Sequence, residues 1–364
     1  MRLFELITFG KSYLRHFDRS VAKPDATTYA RLMATMLDDR YCNAHVLLPI
    51  LAGDERARFV VADSTALQGA WRAEHGVPRD ATVEEVVLAQ IEEHRADVLY
   101  NISPLIFDSR FVRKLPGCIK HTVCWRAAPL AGADLSGYDL CVGNFRSMLD
   151  EWTRAGHRAA WFEPAHDPVA AESARADRDI DIAFVGTYSW LHSRRNVLLQ
   201  RVAELAPRLR VRFHFALGRS ARLVNALGPG RALFPKLALP ASLRRVAHGP
   251  VYGRGMYELF GRARIVLNAA IDMASEFRGN MRCWEAMGCG ALMLSDDGVY
   301  PPGMTPGVDF ATYDGIDDAV ANIERILADY DRWRPTAAHG LATMEQTYSK
   351  EAQWATFVKL VEQL

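Results

Sequence analysis

Residues Asn280 to Asp296 run Asn-Met-Arg-Cys-Trp-Glu-Ala-Met-Gly-Cys-Gly-Ala-Leu-Met-Leu-Ser-Asp, and no other stretch restricts the fold as much. It reads as a short helix, a glycine stop and a strand. Gly288 and Gly290 mark the stop, where a residue without Cβ takes left-handed backbone at little cost. The run 291–294 is short and wholly apolar, as a parallel strand covered on both faces must be. Arg282 and Glu285, three positions apart, share one face of the helix. A surface salt bridge would explain that pair. With the glycines and the buried strand beside it, the pair also forms the set a sugar nucleotide demands. The arginine matches phosphate oxygens and the glutamate accepts from ribose hydroxyls.

The rest of the chain repeats the alternation. Strand-like runs fall at 3–8, 44–48, 58–61, 97–101, 119–124, 138–142 and 159–162, then near 181–185, 211–216, 264–268 and 291–294. Thr82-Val-Glu-Glu85 is a capping-box signature, and Val83, Val86, Val87 and Ile91 line one face of the helix it opens. Strand, helix and strand in succession predict an α/β protein whose parallel sheets carry helices on both faces. At 364 residues the chain exceeds one ordinary core, so two domains are expected. The polar segment from Pro164 to Asp181 is the expected linker. This places domains at 1–168 and 169–345, followed by a terminal helix at 346–364 that carries Trp354, Phe357, Val358 and Val361 on helical spacing.

Glu285-Ala-Met-Gly-Cys-Gly-Ala291 resembles the signature of the C-terminal domain of GT-B glycosyltransferases. The Arg-x-x-Glu spacing and the Leu-Ser-Asp that follows are most similar to the CgeB-like branch, the spore maturation protein group. Asp181-Ile-Ala-Phe-Val-Gly186, Val251-Tyr-Gly253 and the run from Tyr257 to Asn268 extend the likeness, while the N-terminal half shares strand rhythm alone. The resemblance implies two Rossmann-like domains with parallel sheets facing a central cleft, and a last helix crossing back to the first domain. It implies a hexosyltransferase-type enzyme, retaining and metal-independent, with a UDP- or GDP-sugar on the C-terminal domain. A glycan or lipid-linked glycan acceptor would sit on the N-terminal domain. One departure stands out: many retaining members carry a second glutamate upstream, and Glu276 is one residue too far from Glu285 to match it. A sugar-nucleotide epimerase of the same fold, or a non-catalytic nucleotide-sugar-binding module, would share the donor pocket.

Within this scheme Arg282 and Glu285 are the candidate catalytic pair. Gly186 ends a strand and lets a diphosphate approach, with Thr187 and Tyr188 following it. His192, Arg194 and Arg195 open the next helix, where free N–H groups attract anions. The competing reading there is an ordinary strand-to-helix turn with solvated arginines. Asn268 ends another strand and points to the same mouth, unless it serves turn chemistry. Tyr252 is placed to stack on a base, or else to pack in the core. Gly288, Cys289 and Gly290 complete the donor set. On the acceptor side, Phe9 and Gly10 follow the first strand, Asn101 and Ser103 a later one, and Trp125 and Arg126 another. Lys11-Ser12 lacks the rest of a phosphate-binding loop. His166-Asp167-Pro168 offers a base near the hinge, against a structural or solvated loop histidine. Ser295-Asp-Asp297 is a weak metal signal, and helix dipoles and cations are expected to carry the diphosphate charge without metal or other cofactor.

Apolar and charged shares of 49% and 24% are those of a globular chain, and a net charge of +1 gives no global pull toward nucleic acid or membrane. Glu5 interrupts the apolar opening, so Met1–Gly10 reads as a first strand and not as a signal peptide. The chain has no apolar run of roughly 18 residues, the length a spanning helix needs. The six cysteines, at 42, 118, 124, 141, 283 and 289, show no Cys-x-x-Cys spacing and read as small buried hydrophobes in a reducing cytoplasm. The segment 219–254 is rich in arginine. It is expected either to be a solvated face or to meet an anionic acceptor or the inner face of a membrane.

Overall fold

The computed structural model describes residues 1–21, 27–128, 132–269 and 276–364. It divides into two bodies: Met1–Pro164 with Lys350–Leu364, and Ala165–Ser349.

The first body holds a six-stranded parallel sheet of β1 (Leu3–Ile7), β2 (Ala57–Val61), β3 (Val98–Asn101), β4 (His121–Trp125), β5 (Leu140–Gly143) and β6 (Ala159–Trp161). The spatial order is β2-β1-β3-β4-β5-β6, with every pair parallel. The chain therefore reverses its direction of winding between β1 and β3, and ligands in such sheets bind beyond the carboxyl ends at that point. The central strands are buried along their length, which explains their continuous apolar runs. The Val83–His94 helix begins with the expected capping box, Thr82 and Glu85 each accepting from the other's backbone N–H. The final helix, Lys350–Glu362, places Phe357 and Val361 in the core with Leu3, Val98, Tyr100 and Phe162. The Tyr100 and Phe357 rings lie 4.9 Å apart.

The second body repeats the plan with β7 (Ile180–Tyr188), β8 (Val211–Leu217), β9 (Ala247–His248), β10 (Ala263–Leu267), β11 (Leu292–Asp296) and β12 (Ala311–Tyr313). Its order is β12-β11-β10-β7-β8-β9, again all parallel. Winding reverses between β7 and β10, so their carboxyl ends frame the second switch point.

Three expectations need correction. The run 44–48 is not a strand. Its backbone is taken by buried side chains: Leu47 N–H donates to Glu5 Oε2 at 3.0 Å, and Lys350 Nζ donates to Val46 O at 2.8 Å. A helical turn, Leu48–Leu51 with Pro49 in its first turn, follows. The strand at 181–185 extends to Tyr188, paired with β8 as far as Leu217. Finally, Ala165–Asp181 is not a loose linker. His166, Asp167, Ala170 and Arg178 are buried, and Asp167 caps the short Pro168–Ala171 helix. Arg178 donates to the carbonyls of Phe260, Gly261, Ala263, Cys289 and Gly290, so a charge that reads as solvated from sequence is spent on backbone. The short strands β9 and β12, two and three residues long, give no sequence pattern of their own.

Candidate functional site

The helix Arg282–Gly288 belongs to the crossover from β10 to β11 and lies against the end of β7. Arg282 Nη1 is 2.6 Å from Glu285 Oε2, and its Nη2 donates to Val185 O at 3.1 Å. The guanidinium carbon lies 4.9 Å over the Phe260 ring. The arginine side chain is 16% exposed and the glutamate 10%, so the pair is screened from most solvent while its edge stays reachable. The two charges share a helix face, as their spacing requires, and the arginine is tied to the half-buried Val185 of β7.

Around them, Tyr257 donates its hydroxyl to Asp167 Oδ2 at 3.2 Å. Burial, then the nearby Asp167 and Glu285 carboxylates, push the Tyr257 hydroxyl well above its usual range. Burial and Glu285 likewise push the Cys289 thiol up, so it is an inert packing group and not a nucleophile. Cys289 is fully buried and closes the helix with φ −88°. Gly290, at φ +63°, is the left-handed residue. Gly288 is not: it remains helical, and a Cβ there would stand 2.6 Å from His166 Nδ1. The glycine is needed so that the His166 ring can pack against the helix. That makes His166 a buried packing residue of this body and not a hinge-loop base.

Gly186 lies inside β7, and a Cβ there would come within 2.8 Å of the Phe184 ring. Thr187 and Tyr188 finish the strand. His192 is the N-cap of the Ser193–Ala203 helix, and Arg194 is exposed in its first turn. Arg195 is buried, not solvated: its Nη2 donates to Thr187 O at 2.6 Å and its guanidinium sits 5.8 Å over Phe184. Tyr252 is the half-buried N-cap of the Gly253–Gly261 helix. Asn268 does not reach the mouth. It is buried and bonded to Ser295 Oγ and Asn280 Oδ1, each at 3.1 Å, and so ties the ends of β10 and β11 to the entry of the Arg282 helix. Asp296 is ion-paired with Arg278 at 2.6 Å.

In the first body, Phe9 and Gly10 leave β1 with both N–H groups on the Asp63 carboxylate, at 2.9 and 2.8 Å. Ser103 Oγ accepts from Thr8 N–H at 2.8 Å, joining the ends of β1 and β3 across the reversal point. Asn101 is fully buried, its Oδ1 accepting from Ser103 N–H at 2.8 Å. It positions this edge and is not itself open to a ligand. Trp125 ends β4 with its ring 4.2 Å from His45, and the half-buried Arg126 donates to Ala128 O at 3.0 Å. Burial lowers the Arg126 pKa. Since β1, β3 and β4 are neighbours, Phe9, Gly10, Ser103, Trp125 and Arg126 share one sheet edge. Sequence reasoning overlooked Asp63, Arg178 and Arg278, and named Asp167 without its role as a helix cap and partner of Tyr257. Only Asp167, standing before a proline as a helix cap does, left a readable signal.

Two Rossmann-like parallel α/β bodies of this kind define the GT-B glycosyltransferase fold, and solved glycosyltransferases superpose on the chain accordingly. Anabaena Alr3699/HepE in complex with UDP matches at TM-score 0.62 and 13% identity over 100% of both chains. The same protein with UDP-glucose matches at 0.61 and 13%, over 100% of this chain and 99% of that one. A glycosyltransferase from Rickettsia africae gives 0.57 and 9%, over 99% and 97%. Residues 171–359, just over half of the sequence, match the profile of the glycosyl transferase-like family, and the chain belongs to that family. No curated protein matches the sequence as a close relative.

Proposed function

We propose that this chain is a metal-independent, retaining hexosyltransferase of the CgeB-like branch. It takes a UDP- or GDP-sugar at the carboxyl ends of β7 and β10 and passes the sugar to a hydroxyl of a glycan or lipid-linked glycan. The observation that carries this reading is the Arg282–Glu285 pair, anchored to Val185 where the second sheet reverses its winding. The complexes of HepE with UDP and UDP-glucose support a uridine nucleotide as the first donor to try.

Breaking the donor's glycosidic bond builds negative charge on the diphosphate and positive charge on the sugar ring. Arg282 answers the first with a cation that is already in place, so little reorganisation is needed as charge develops. Arg194, exposed at the start of its helix, is the second cation, and the N–H groups of that helix turn add to it. Glu285 accepts from the ribose hydroxyls, and Tyr252 stacks on the base. Gly186, Thr187 and Tyr188 carry the backbone past the diphosphate; Gly288, Cys289, Gly290, Arg195 and Asn268 hold the site's shape. Phe9, Gly10, Ser103, Trp125 and Arg126 receive the acceptor on the first body.

Isothermal calorimetry with UDP-glucose and GDP-mannose tests the donor site. Wild type should bind one of them saturably, and Glu285→Gln should weaken that binding about tenfold, the loss of a charge-assisted bond. Unchanged affinity removes Glu285 from the ribose. Turnover without any acceptor sugar marks an epimerase instead, and binding without turnover under all acceptors marks a sensing module.

A further inference from the structure

We infer that the Arg219–Ala226 helix and the 3-10 turn Gly228–Leu233 that follows it form a docking surface for an anionic lipid bilayer. From Leu205 to Tyr257 the chain carries no aspartate or glutamate, although its overall charge is only +1. Arg219, Arg222 and Lys236 are exposed on this stretch, and Arg231 is half-buried. Large apolar side chains are interleaved with them in solvent: Leu223 is 62% exposed, Leu233 80% and Phe234 45%. Ala221 and Val224 face inward, which puts Arg222, Leu223 and Leu227 on the outer side of the helix. The turn after β7 contributes Trp190 and Leu191, both exposed, and Lys236 Nζ lies 5.7 Å over the Trp190 ring.

The excursion is held in shape. The Asn225 side chain donates to Ala221 O at 2.7 Å and to Leu237 O at 3.1 Å, and it accepts from Leu239 N–H at 2.8 Å. A single exposed leucine is ordinary, but a cluster of large apolar tips among arginines is not. An acidic glycan would use the cations alone, and RNA could add a base stacked on Phe234 but would leave Leu223 and Leu233 unused. A bilayer uses both, since apolar tips enter the acyl boundary while arginines meet lipid phosphates.

Co-sedimentation of the full chain with phosphatidylcholine–phosphatidylglycerol vesicles, against pure phosphatidylcholine, tests this without any sugar donor, so its outcome is separate from the enzymatic reading. Wild type should partition onto the anionic vesicles and release with added salt. Arg222→Ala should weaken partition about fivefold, and L233S/F234S at least as much, both with unchanged melting temperature because the sites are exposed. Absence of wild-type binding overturns the proposal. So does binding that L233S/F234S leaves intact, or equal binding to poly(U) RNA with the same indifference to those two side chains, which would assign the patch to a soluble polyanion.

Discussion

A single guanidinium joins two elements of the second body: Arg282 Nη1 meets Glu285 Oε2 at 2.6 Å while Nη2 donates to Val185 O at 3.1 Å. Removing it deletes a placed charge and leaves a mostly buried carboxylate unpaired. Arg282→Ala should lower kcat/KM at least tenfold, the scale of losing one charge-stabilising donor. Arg282→Lys keeps the charge but lacks the fork that reaches both partners, so it should recover only part of the rate. Full activity in Arg282→Ala removes the residue from the mechanism. A double-mutant cycle with Glu285→Ala should give a coupling of about 1–3 kcal/mol in chemical denaturation.

Gly290 tests the seam beneath that helix. At φ +63° an alanine there pays the left-handed penalty, and its Cβ would lie 3.2 Å from Ala174 Cβ and 3.3 Å from Arg178 Nη2. Gly290→Ala should cost about 1–2 kcal/mol of stability. Arg178→Met should cost more, because five carbonyls, four of them at buried contacts, lose a donor at once. Urea midpoints order the two variants. An Arg178→Met protein as stable as wild type would show that those carbonyls find other partners cheaply.

Much of this was readable before any coordinates. Uninterrupted apolar runs gave the parallel strands, and Thr82-Val-Glu-Glu85 gave its helix, because burial on both faces and end-capping are local demands. What escaped is long-range polar pairing. Glu5 and Lys350 recruit the backbone of 43–47 from far along the chain, and no periodicity announces that. The buried contacts of Arg178, inside the segment read as a linker, escaped for the same reason. In the candidate site, the shared face of Arg282 and Glu285 followed from their spacing, whereas their anchor on Val185 did not. Asn268, Asn101 and Arg195 were read as ligand-facing because strand ends and helix starts attract ligands. Burial shows them supporting the site from beneath.

Metal independence predicts that EDTA leaves turnover unchanged. Asp296, the last residue of β11, is paired with Arg278 at 2.6 Å. In the proposed reading the diphosphate charge rests on Arg282 and Arg194. Loss of activity in EDTA that magnesium or manganese restores would overturn this.

The first body should show a pH-dependent stability that traces to Glu5. This carboxyl is fully buried in β1 and accepts from Leu47 N–H. Burial raises its pKa from 4.5 to about 8, partly offset by that bond and by the charge of Lys350. Between those values the folded chain keeps a proton that the unfolded chain has released. The stabilisation is therefore complete below pH 4.5 and is lost as pH rises toward 8, with a slope of at most about 1.4 kcal/mol per pH unit. His45 acts in the opposite sense at lower pH. Burial, then Lys350, pushes it from 6.5 to about 3, so the unfolded chain takes up the proton first and stability falls as pH drops below 6.5. Above pH 6.5 the imidazole slope fades, and Glu163, whose carboxyl burial raises to about 7, adds to the Glu5 loss in the same sense. Urea titrations at pH 6.5 and pH 8 should show wild type weaker at the higher value. Glu5→Gln, which keeps the shape and an acceptor for Leu47 N–H, should reduce that difference, leaving the smaller part that Glu163 contributes; a difference that Glu5→Gln leaves unchanged removes Glu5 as its source.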